Sequence, residues 1–221
     1  DSVAPYYGLS LKVARPDVYV VILESFSAEL MPSLGGKAVA VNLDSIACTG
    51  ALWTRFYAES FRTDRAITAI LGGYPAQPST SLLRNINKFD KIPTLSTVLA
   101  AKGYRTAYYY GGDLDFTNVR AYLHATGFAR PVGDTDFPVG ERLSKWGVHD
   151  GPVFDRALSD IMGRKDKVPT LTVIQTSSSH EPFEVPFDRF AQDKRLNAFA
   201  YADDCLGRVV RRLHASGAWD R

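Results

Sequence analysis

The chain has 221 residues, of which 45% are hydrophobic and 23% charged, a balance typical of globular proteins and unlike that of a disordered or coiled-coil chain. Its 26 basic and 24 acidic residues are spread along the sequence, without a basic block that could follow the phosphate backbone of a nucleic acid. No apolar run reaches the roughly 18 residues that a membrane-spanning helix needs. The composition therefore predicts a globular domain with no nucleic-acid partner.

Three apolar runs predict the strands of a sheet. After a predicted tail or linker at 1–15, the run DVYVVIL at 17–23 is β-branched, aliphatic or aromatic at every position after Asp17, which is typical of a strand buried on both faces of a parallel sheet. Similar runs occur at 104–110 and 169–176. Helix-like stretches lie between or after them, at 63–71, 94–102, 117–126, 152–162 and 193–215. This alternation predicts one α/β domain at 16–221, with a doubly wound, mainly parallel sheet and helices on both faces.

The two cysteines, Cys48 and Cys205, are too few for a disulfide framework or a metal cluster. Cysteine is among the residue types most often buried, so two buried thiols are the simplest expectation. The sequence leaves open whether the two pair.

Polar residues follow each predicted strand. Glu24 comes after the first strand, Asp113 comes after a Gly-Gly pair at the end of the second, and His180 follows a run of serines after the third. Ligands of open α/β sheets bind at the carboxyl ends of the strands. We therefore expect these three side chains, together with Thr63, to gather at one edge of the sheet.

Thr63 stands at the start of a helix-like stretch, between Arg62 and Arg65. In one interpretation it is an ordinary N-cap, whose hydroxyl accepts a hydrogen bond from a first-turn amide. In the other, the helix N-terminus and the two arginines bind a phosphate or sulfate ester, and a metal lowers the pKa of the hydroxyl so that it acts as a nucleophile.

The other polar candidates also have two interpretations each. Glu24 suits a cation that prefers oxygen ligands, although a glutamate at a strand end is often only solvated. His180 can bind or protonate an ester oxygen, or lie on the surface as a loop histidine. Asp113 and Asn118 can bind a polar headgroup, or serve a turn and a helix cap.

Five segments, in this order, resemble the extracytoplasmic domain of the lipoteichoic acid synthase family, sulfatase-like members of the alkaline phosphatase superfamily. The segments are VVILESFS at 20–27, FRTDRAITAILGGYPAQP at 61–78, TLSTVLAAKGYRTAYYYGGDLDFTN at 94–118, WGVHDGPVFD at 146–155 and TSSSHEPF at 176–183. The forms GGDLDFTN and GYPAQP look closer to Gram-negative members than to the Gram-positive polymerases.

The resemblance implies a role for several residues. Glu24 matches the family's first metal-binding acid, Thr63 its metal-bound nucleophile and His180 its substrate-binding histidine. It implies a divalent cation, Mn²⁺ or Mg²⁺, and a phospholipid headgroup or other phosphate ester as substrate, with Arg62, Arg65, Asp113 and Asn118 as further substrate-binding candidates. It also implies an extracytoplasmic location, at the periplasmic face of the inner membrane, with anchoring through segments absent from this chain.

The sequence departs from the family pattern in three places. Tyr110 and the run Thr117-Asn118-Val119 replace a histidine and a Trp-Asn-Arg run of the Gram-positive enzymes, so their glycerol phosphate pocket is not reproduced. No Cys-x-Pro-x-Arg motif surrounds Thr63, so sulfate-ester hydrolysis is the less expected chemistry. None of the four histidines follows an aspartate, whereas the family has an Asp-His pair as its second metal-binding element.

These patterns predict a metal-dependent enzyme that transfers a phosphoglycerol-type or related headgroup through a threonine nucleophile. Because the Asp-His pair is missing, we expect the chain to be the N-terminal part of a longer catalytic domain, truncated at its C-terminus and inactive alone. Two alternatives stay open. One is a hydrolase of the sulfatase or phosphodiesterase type, and the other is a non-catalytic binding fragment.

Overall fold

Three strands form one parallel sheet at the centre of the chain. The computed structural model describes residues 13–220, apart from the side chain of Asp90, so most of the predicted tail at 1–15 lies outside the described residues. The strands are β1 (Val18–Ile22), β2 (Arg105–Tyr110) and β3 (Thr170–Gln175), in the order β1-β3-β2. Ile22 and Tyr110 both pair with Gln175, so all three strands end at the same edge. The three predicted strands and their parallel arrangement are confirmed.

Six α-helices accompany the sheet in the described part of the chain. They are α1 (Val41–Ala47), α2 (Thr63–Gly72), α3 (Leu95–Ala101), α4 (Val119–Ala125), α5 (Asp150–Met162) and α6 (Lys194–Ala215). Short 3₁₀ turns lie at Ala28–Leu30, Pro32–Leu34, Leu82–Arg84, Ile86–Lys91, Phe116–Asn118, Asp134–Asp136, Val139–Glu141 and Ala218–Asp220. Five of the α-helices match predicted stretches, and α1 was not predicted.

Helices cover both faces of the sheet. On one face Tyr109 and Ile174 pack in a cluster with Val153 of α5 and Val209 of α6. On the other face Tyr108, Leu171 and Val173 pack in a second cluster with residues of α2 and α4, among them Ile67 and Tyr122. Successive residues of a strand point to opposite faces, which explains why Tyr108 and Tyr109 serve different clusters. The predicted doubly wound arrangement is therefore confirmed.

The start of α4 differs from the prediction of a helix from 117. Thr117 and Asn118 have φ of 58° and 64°, in the left-handed region, and α4 begins only at Val119. A right-handed helix cannot include residues with positive φ. The two residues instead form a sharp turn between the carboxyl end of β2 and α4.

A buried carboxylate distant in the sequence caps α1. Ala40 occupies the N-cap position of α1 and offers no side-chain hydrogen bond. Asp203 of α6 is fully buried and accepts hydrogen bonds from the backbone amides of Asn42 at 2.9 Å and Leu43 at 2.8 Å. Helices α1 and α6 pack so closely that a Cβ at Gly207 would collide with the side chain of Asn42. The start of α1 thus depends on a residue of α6.

We expect Asp203→Ala to lower the free energy of unfolding by about 3 kcal/mol, since it removes a buried carboxylate and leaves three part-buried donors of Asn42 and Leu43 without their acceptor. Urea denaturation measures this change. Asp204→Ala is the matched control, because Asp204 is part-exposed and only 3.7 Å from Arg208 in a surface pair; it should cost less than about 0.5 kcal/mol. Equal losses in the two variants would contradict the capping role of Asp203.

The two cysteines differ in their surroundings. Cys205 lies in the core beneath α5, and burial raises the pKa of its thiol to about 12. Cys48, just after α1, is exposed, and both are free thiols. The expectation of two buried thiols is right for Cys205 and wrong for Cys48, because the end of α1 faces solvent.

Among residues 13–220, none of the helices combines the length and the apolar character that crossing a membrane requires.

Candidate active site

A cavity of about 440 Å³ opens at the carboxyl edge of the sheet. Five of the seven predicted site residues line it, namely Glu24, Arg62, Thr63, Asp113 and His180. Their presence in one cavity agrees with the expectation that residues after the strands meet at this edge. A cavity of this volume suits a small molecule or a headgroup.

Glu24 and Thr63 are in direct contact inside the cavity. The Thr63 hydroxyl donates a hydrogen bond to Glu24 Oε2 at 2.9 Å, and the Ser25 hydroxyl donates to Glu24 Oε1 at 3.1 Å. Thr63 is the first residue of α2, and Arg62 occupies the N-cap position without a side-chain hydrogen bond. The Thr63 side chain is therefore directed to a carboxylate, which does not support the N-cap interpretation.

The backbone of Glu24 is held by the segment that follows β3. Its amide donates to Thr176 Oγ1 at 2.8 Å, and its carbonyl accepts a hydrogen bond from Ser179 Oγ at 2.7 Å. The next residue, Ser25, has φ of 59°, which is unfavourable for a residue with a side chain. Surrounding contacts stabilise this conformation, and it fixes the position from which the Glu24 carboxylate enters the cavity.

His180 lies against Trp146 at the mouth of the cavity. The two ring centroids are 4.4 Å apart. Trp146 Nε1 donates to the carbonyl of Glu181 at 2.6 Å, and His180 Nδ1 lies 3.1 Å from the same carbonyl. With its Nδ1 proton on that carbonyl, His180 keeps Nε2 available for a ligand or a proton. Both rings are thereby oriented by one backbone group.

Asp150 was not among the predicted site residues, although it supports the turn that carries His180. It is the first residue of α5 and is buried. Its carboxylate accepts hydrogen bonds from the amides of Ser177 at 2.8 Å and Ser178 at 3.2 Å, and Ser178 Oγ accepts from the Asp150 amide. In the sequence, the only indication of this role is an aspartate at the start of a helix-like stretch, in the segment WGVHDGPVFD.

Burial raises the pKa of Asp150 from its ordinary 3.8 to about 6. Between these values the folded state keeps a proton that the unfolded state has released, so the free energy of unfolding falls as pH rises. The change is at most about 3 kcal/mol, at about 1.36 kcal/mol per pKa unit. Asp150→Asn does not titrate, so the difference between native protein and variant should fall from about pH 4 to pH 6 in urea denaturation. If the difference in the free energy of unfolding did not change between pH 4 and pH 6, the raised pKa of Asp150 would be contradicted.

Arg65 and Asn118 do not line the cavity. Arg65 Nη1 donates to the carbonyl of Pro78 at 2.7 Å, and Asn118 Nδ2 donates to the carbonyl of Leu83 at 3.0 Å. Both contacts hold the loops that follow α2. The structure thus gives these two predicted substrate-binding residues a role in loop conformation, because their side chains bind backbone carbonyls and do not line the cavity.

Several aromatic side chains that the sequence analysis did not assign to the site also line the cavity. They are Phe61, Tyr110, Phe116 and Trp146. Burial and the nearby Glu24 raise the pKa of the Tyr110 hydroxyl above its usual range, so the phenol stays protonated and can donate a hydrogen bond. Tyr110 is the last residue of β2, and this position at a strand end could have indicated that it lines the site.

Two side chains that line the cavity are of the kind that bind a divalent cation. The carboxylate of Glu24 and the hydroxyl of Thr63 are in contact, and both are hard oxygen ligands of the type that Mn²⁺ or Mg²⁺ prefers. Within residues 13–220, however, no group of three or more His, Cys, Asp and Glu side chains is placed to hold a metal ion. The described residues therefore fit such an ion but supply only part of its ligands.

We expect this chain to bind Mn²⁺ or Mg²⁺ weakly, with a dissociation constant of about 1 mM or higher, because two ligands leave most coordination positions to water. Isothermal titration calorimetry measures the affinity. The weak heat should decrease further in Glu24→Gln. Tight, stoichiometric binding, or binding unaffected by the substitution, would show that other residues hold the ion.

Comparison with known proteins shows where this fold occurs. A protein of the alkaline phosphatase superfamily from Vibrio parahaemolyticus is similar over 93% of this chain and 52% of its own, with 28% identity and a TM-score of 0.85. Lipoteichoic acid synthase LtaP from Listeria monocytogenes matches 92% of this chain and 53% of its own, with 21% identity and a TM-score of 0.82.

A third similar structure is the Streptococcus pyogenes phosphoglycerol transferase GacH in complex with sn-glycerol-1-phosphate. It matches 94% of this chain and 59% of its own, with 14% identity and a TM-score of 0.64. The chain therefore spans little more than half the length of these structures. Because LtaP and GacH are only 21% and 14% identical to this chain, their similarity shows the fold alone.

The family model described as Sulfatase matches residues 16–221. This match covers most of the chain and includes Glu24, Thr63, Asp113 and His180. Together with the neighbours in the alkaline phosphatase superfamily, it confirms the predicted resemblance to sulfatase-like domains. The chain belongs to the Sulfatase family.

Proposed function

We propose that the complete protein is a metal-dependent transferase of phosphoglycerol or a related phosphoryl headgroup, with Thr63 as its nucleophile. The contact that carries this proposal is the hydrogen bond from Thr63 Oγ1 to Glu24 Oε2 at 2.9 Å, at the start of α2 and inside a cavity of about 440 Å³. A nucleophilic hydroxyl needs an adjacent group that accepts its proton or lowers its pKa. Glu24 is positioned for this purpose.

The first half of the reaction forms a covalent intermediate. Thr63 Oγ1 attacks the phosphorus atom of a phospholipid, a bond to Thr63 forms, and the bond between phosphorus and the glycerol oxygen of the lipid breaks. The hydroxyl proton passes to Glu24 Oε2. His180, in its protonated form, donates a proton to the departing oxygen, and diacylglycerol leaves. A divalent ion held by Glu24 and Thr63 would supply Lewis acidity and lower the pKa of the hydroxyl.

The second half returns the enzyme to its starting state. A hydroxyl of the acceptor attacks the phosphothreonine, and its proton passes to His180. The bond to Thr63 breaks, and Glu24 returns the proton to Thr63 Oγ1. The N-terminus of α2 and the guanidinium of Arg62 stabilise the negative charge of the phosphoryl oxygens through both halves.

The donor proposed here is a membrane phospholipid, and the location is extracytoplasmic, at the periplasmic face of the inner membrane. Among the structural neighbours, LtaP is described as a lipoteichoic acid synthase and GacH as a phosphoglycerol transferase. Both descriptions support headgroup transfer. The headgroup itself is not assigned, because Tyr110, Thr117 and Val119 stand where the Gram-positive enzymes have a histidine, a tryptophan and an arginine.

Hydrolysis is the alternative with the same residues, since water can replace the acceptor hydroxyl in the second half. The two reactions differ in their products. Phosphatidylglycerol labelled in its headgroup, incubated with the complete gene product and Mn²⁺, should release diacylglycerol and pass the label to an acceptor. Label that appears only as free glycerol phosphate would identify a hydrolase. Diacylglycerol release that is absent with every phospholipid tested would refute the proposed function.

A further inference from the structure

The connection between α1 and α2 exposes an unusual number of large apolar side chains. Trp53 is 65% exposed, Phe56 83%, Tyr57 80% and Phe61 92%. All four occur within nine residues and lie directly before Thr63. Single exposed apolar residues are ordinary, whereas four large exposed ones so close together in the chain are typical of a surface that another apolar phase covers. We refer to residues 52–62 as the aromatic loop.

The aromatic loop is continuous with the candidate active site. Phe61 and Arg62 belong both to the loop and to the lining of the cavity, next to Thr63. A cavity of about 440 Å³ can hold a headgroup, but two acyl chains require a further apolar surface. The loop offers such an exposed apolar surface beside the cavity.

The composition of the aromatic loop suits the boundary between lipid headgroups and acyl chains. Trp53 and Tyr57 are the residue types enriched at that boundary, where one end of the side chain is apolar and the other hydrated. Arg55 and Arg62 are exposed among them, against one acidic residue, Glu59. Basic side chains beside aromatic ones add attraction to anionic lipids.

We infer that the aromatic loop inserts its exposed side chains into a phospholipid surface and so presents the headgroup of a bilayer lipid to Thr63. The inference rests on the proposed function, which supplies the phospholipid donor, and it deepens that proposal by assigning residues 52–62 as the surface that holds the donor's bilayer against the cavity. A second copy of the chain, or another segment of the protein, is the competing occupant of this surface.

The partitioning test uses the 221-residue chain, which contains the whole aromatic loop, and vesicles of phosphatidylcholine that contain phosphatidylglycerol. Brominated acyl chains should quench part of the tryptophan fluorescence, and that quenched part should be missing in Trp53→Phe, which keeps Trp146 and Trp219. The double substitution Phe56→Ser and Tyr57→Ser should lower vesicle partitioning by at least about tenfold, because it removes two inserted aromatic side chains. Added salt should weaken partitioning only in part, since apolar insertion is not screened.

A matched control uses exposed apolar residues elsewhere. Val139 and Leu143 are 77% and 72% exposed and do not line the cavity. The double substitution Val139→Ser and Leu143→Ser should leave partitioning unchanged within about twofold. An equal loss in the control and in the loop variant would overturn the inference, because it would indicate non-specific adhesion. Absence of quenching, or a Trp53 that acrylamide cannot reach because protein covers it, would also overturn it.

A second readout separates this inference from the proposed function. In the complete gene product, the Phe56 and Tyr57 variant should lose turnover of vesicle lipid by about tenfold but keep turnover of a water-soluble glycerophosphodiester, because neither residue lines the cavity. If the native protein turned over neither substrate, the proposed function would fail while vesicle partitioning still decided the inference. If it turned over both and the variant lost neither, the lipid-docking inference would fail alone.

Discussion

Thr63→Ala should lower headgroup transfer by about 10³-fold or more in the complete gene product, because no other group can replace the nucleophilic oxygen. The fold should persist, since the lost contact is one hydrogen bond to Glu24 and the cost is about 1 kcal/mol. Thr63→Ser keeps the hydroxyl and should retain part of the activity. The measurements are release of labelled headgroup and a thermal melt of each variant.

Ser25 provides the control for this substitution. Its hydroxyl also donates to the Glu24 carboxylate, at 3.1 Å, but it stands outside the N-terminus of α2. Ser25→Ala should therefore keep turnover within about tenfold of the native value. If Ser25→Ala lost activity and Thr63→Ala kept it, the nucleophile would be Ser25.

Glu24→Gln should lower kcat by about 10²-fold or more while changing KM little. The substitution preserves shape, but a neutral amide neither takes the Thr63 proton nor ligates a divalent cation well. Steady-state kinetics over a range of Mn²⁺ concentrations measures both parameters. Loss of the metal ligand predicts that added Mn²⁺ restores little of the activity.

Glu29→Gln applies the same chemical change at an exposed residue of the 3₁₀ turn at Ala28–Leu30. It should leave kcat unchanged within about twofold, because Glu29 does not line the cavity that contains Thr63. A Glu24→Gln variant with native kcat would show that the contact with Thr63 is structural and has no part in catalysis.

The sheet could be predicted because its signals are local. The β-branched and aromatic runs that form β1, β2 and β3 show their burial in the sequence itself, and parallel strands in an α/β domain end at a common edge. α1 was missed because its cap is not local: Asp203, more than 150 residues away, accepts the amide hydrogen bonds at its start. Seven residues without a local cap give no helix signal that a sequence pattern can detect.

The same distinction applies to the candidate site. Glu24, Asp113 and His180 follow strands, and Thr63 begins a helix, so position along the chain was enough to predict their shared cavity. Side-chain direction was not predictable in this way. Arg65 turns to the Pro78 carbonyl, and Asn118 adopts a left-handed backbone conformation and contacts the Leu83 carbonyl.

Asp150 illustrates the remaining difficulty. Its importance comes from hydrogen bonds to the Ser177 and Ser178 amides, which belong to a segment 27 or more residues later. The sequence pattern indicates only an aspartate at the start of a helix, a position that many surface residues occupy. Burial and pairing of such a residue arise from tertiary packing.

A trapped intermediate tests the account most directly. The complete gene product, mixed with a phospholipid labelled in its headgroup and quenched in acid before the acceptor is added, should carry the labelled phosphoryl group on one residue. Digestion and mass spectrometry should place that group on Thr63, and the modification should disappear in Thr63→Ala and accumulate less in Glu24→Gln. A phosphoryl group found on another residue, or turnover that continues in Thr63→Ala with no modified peptide, would contradict the claim that Thr63 is the nucleophile.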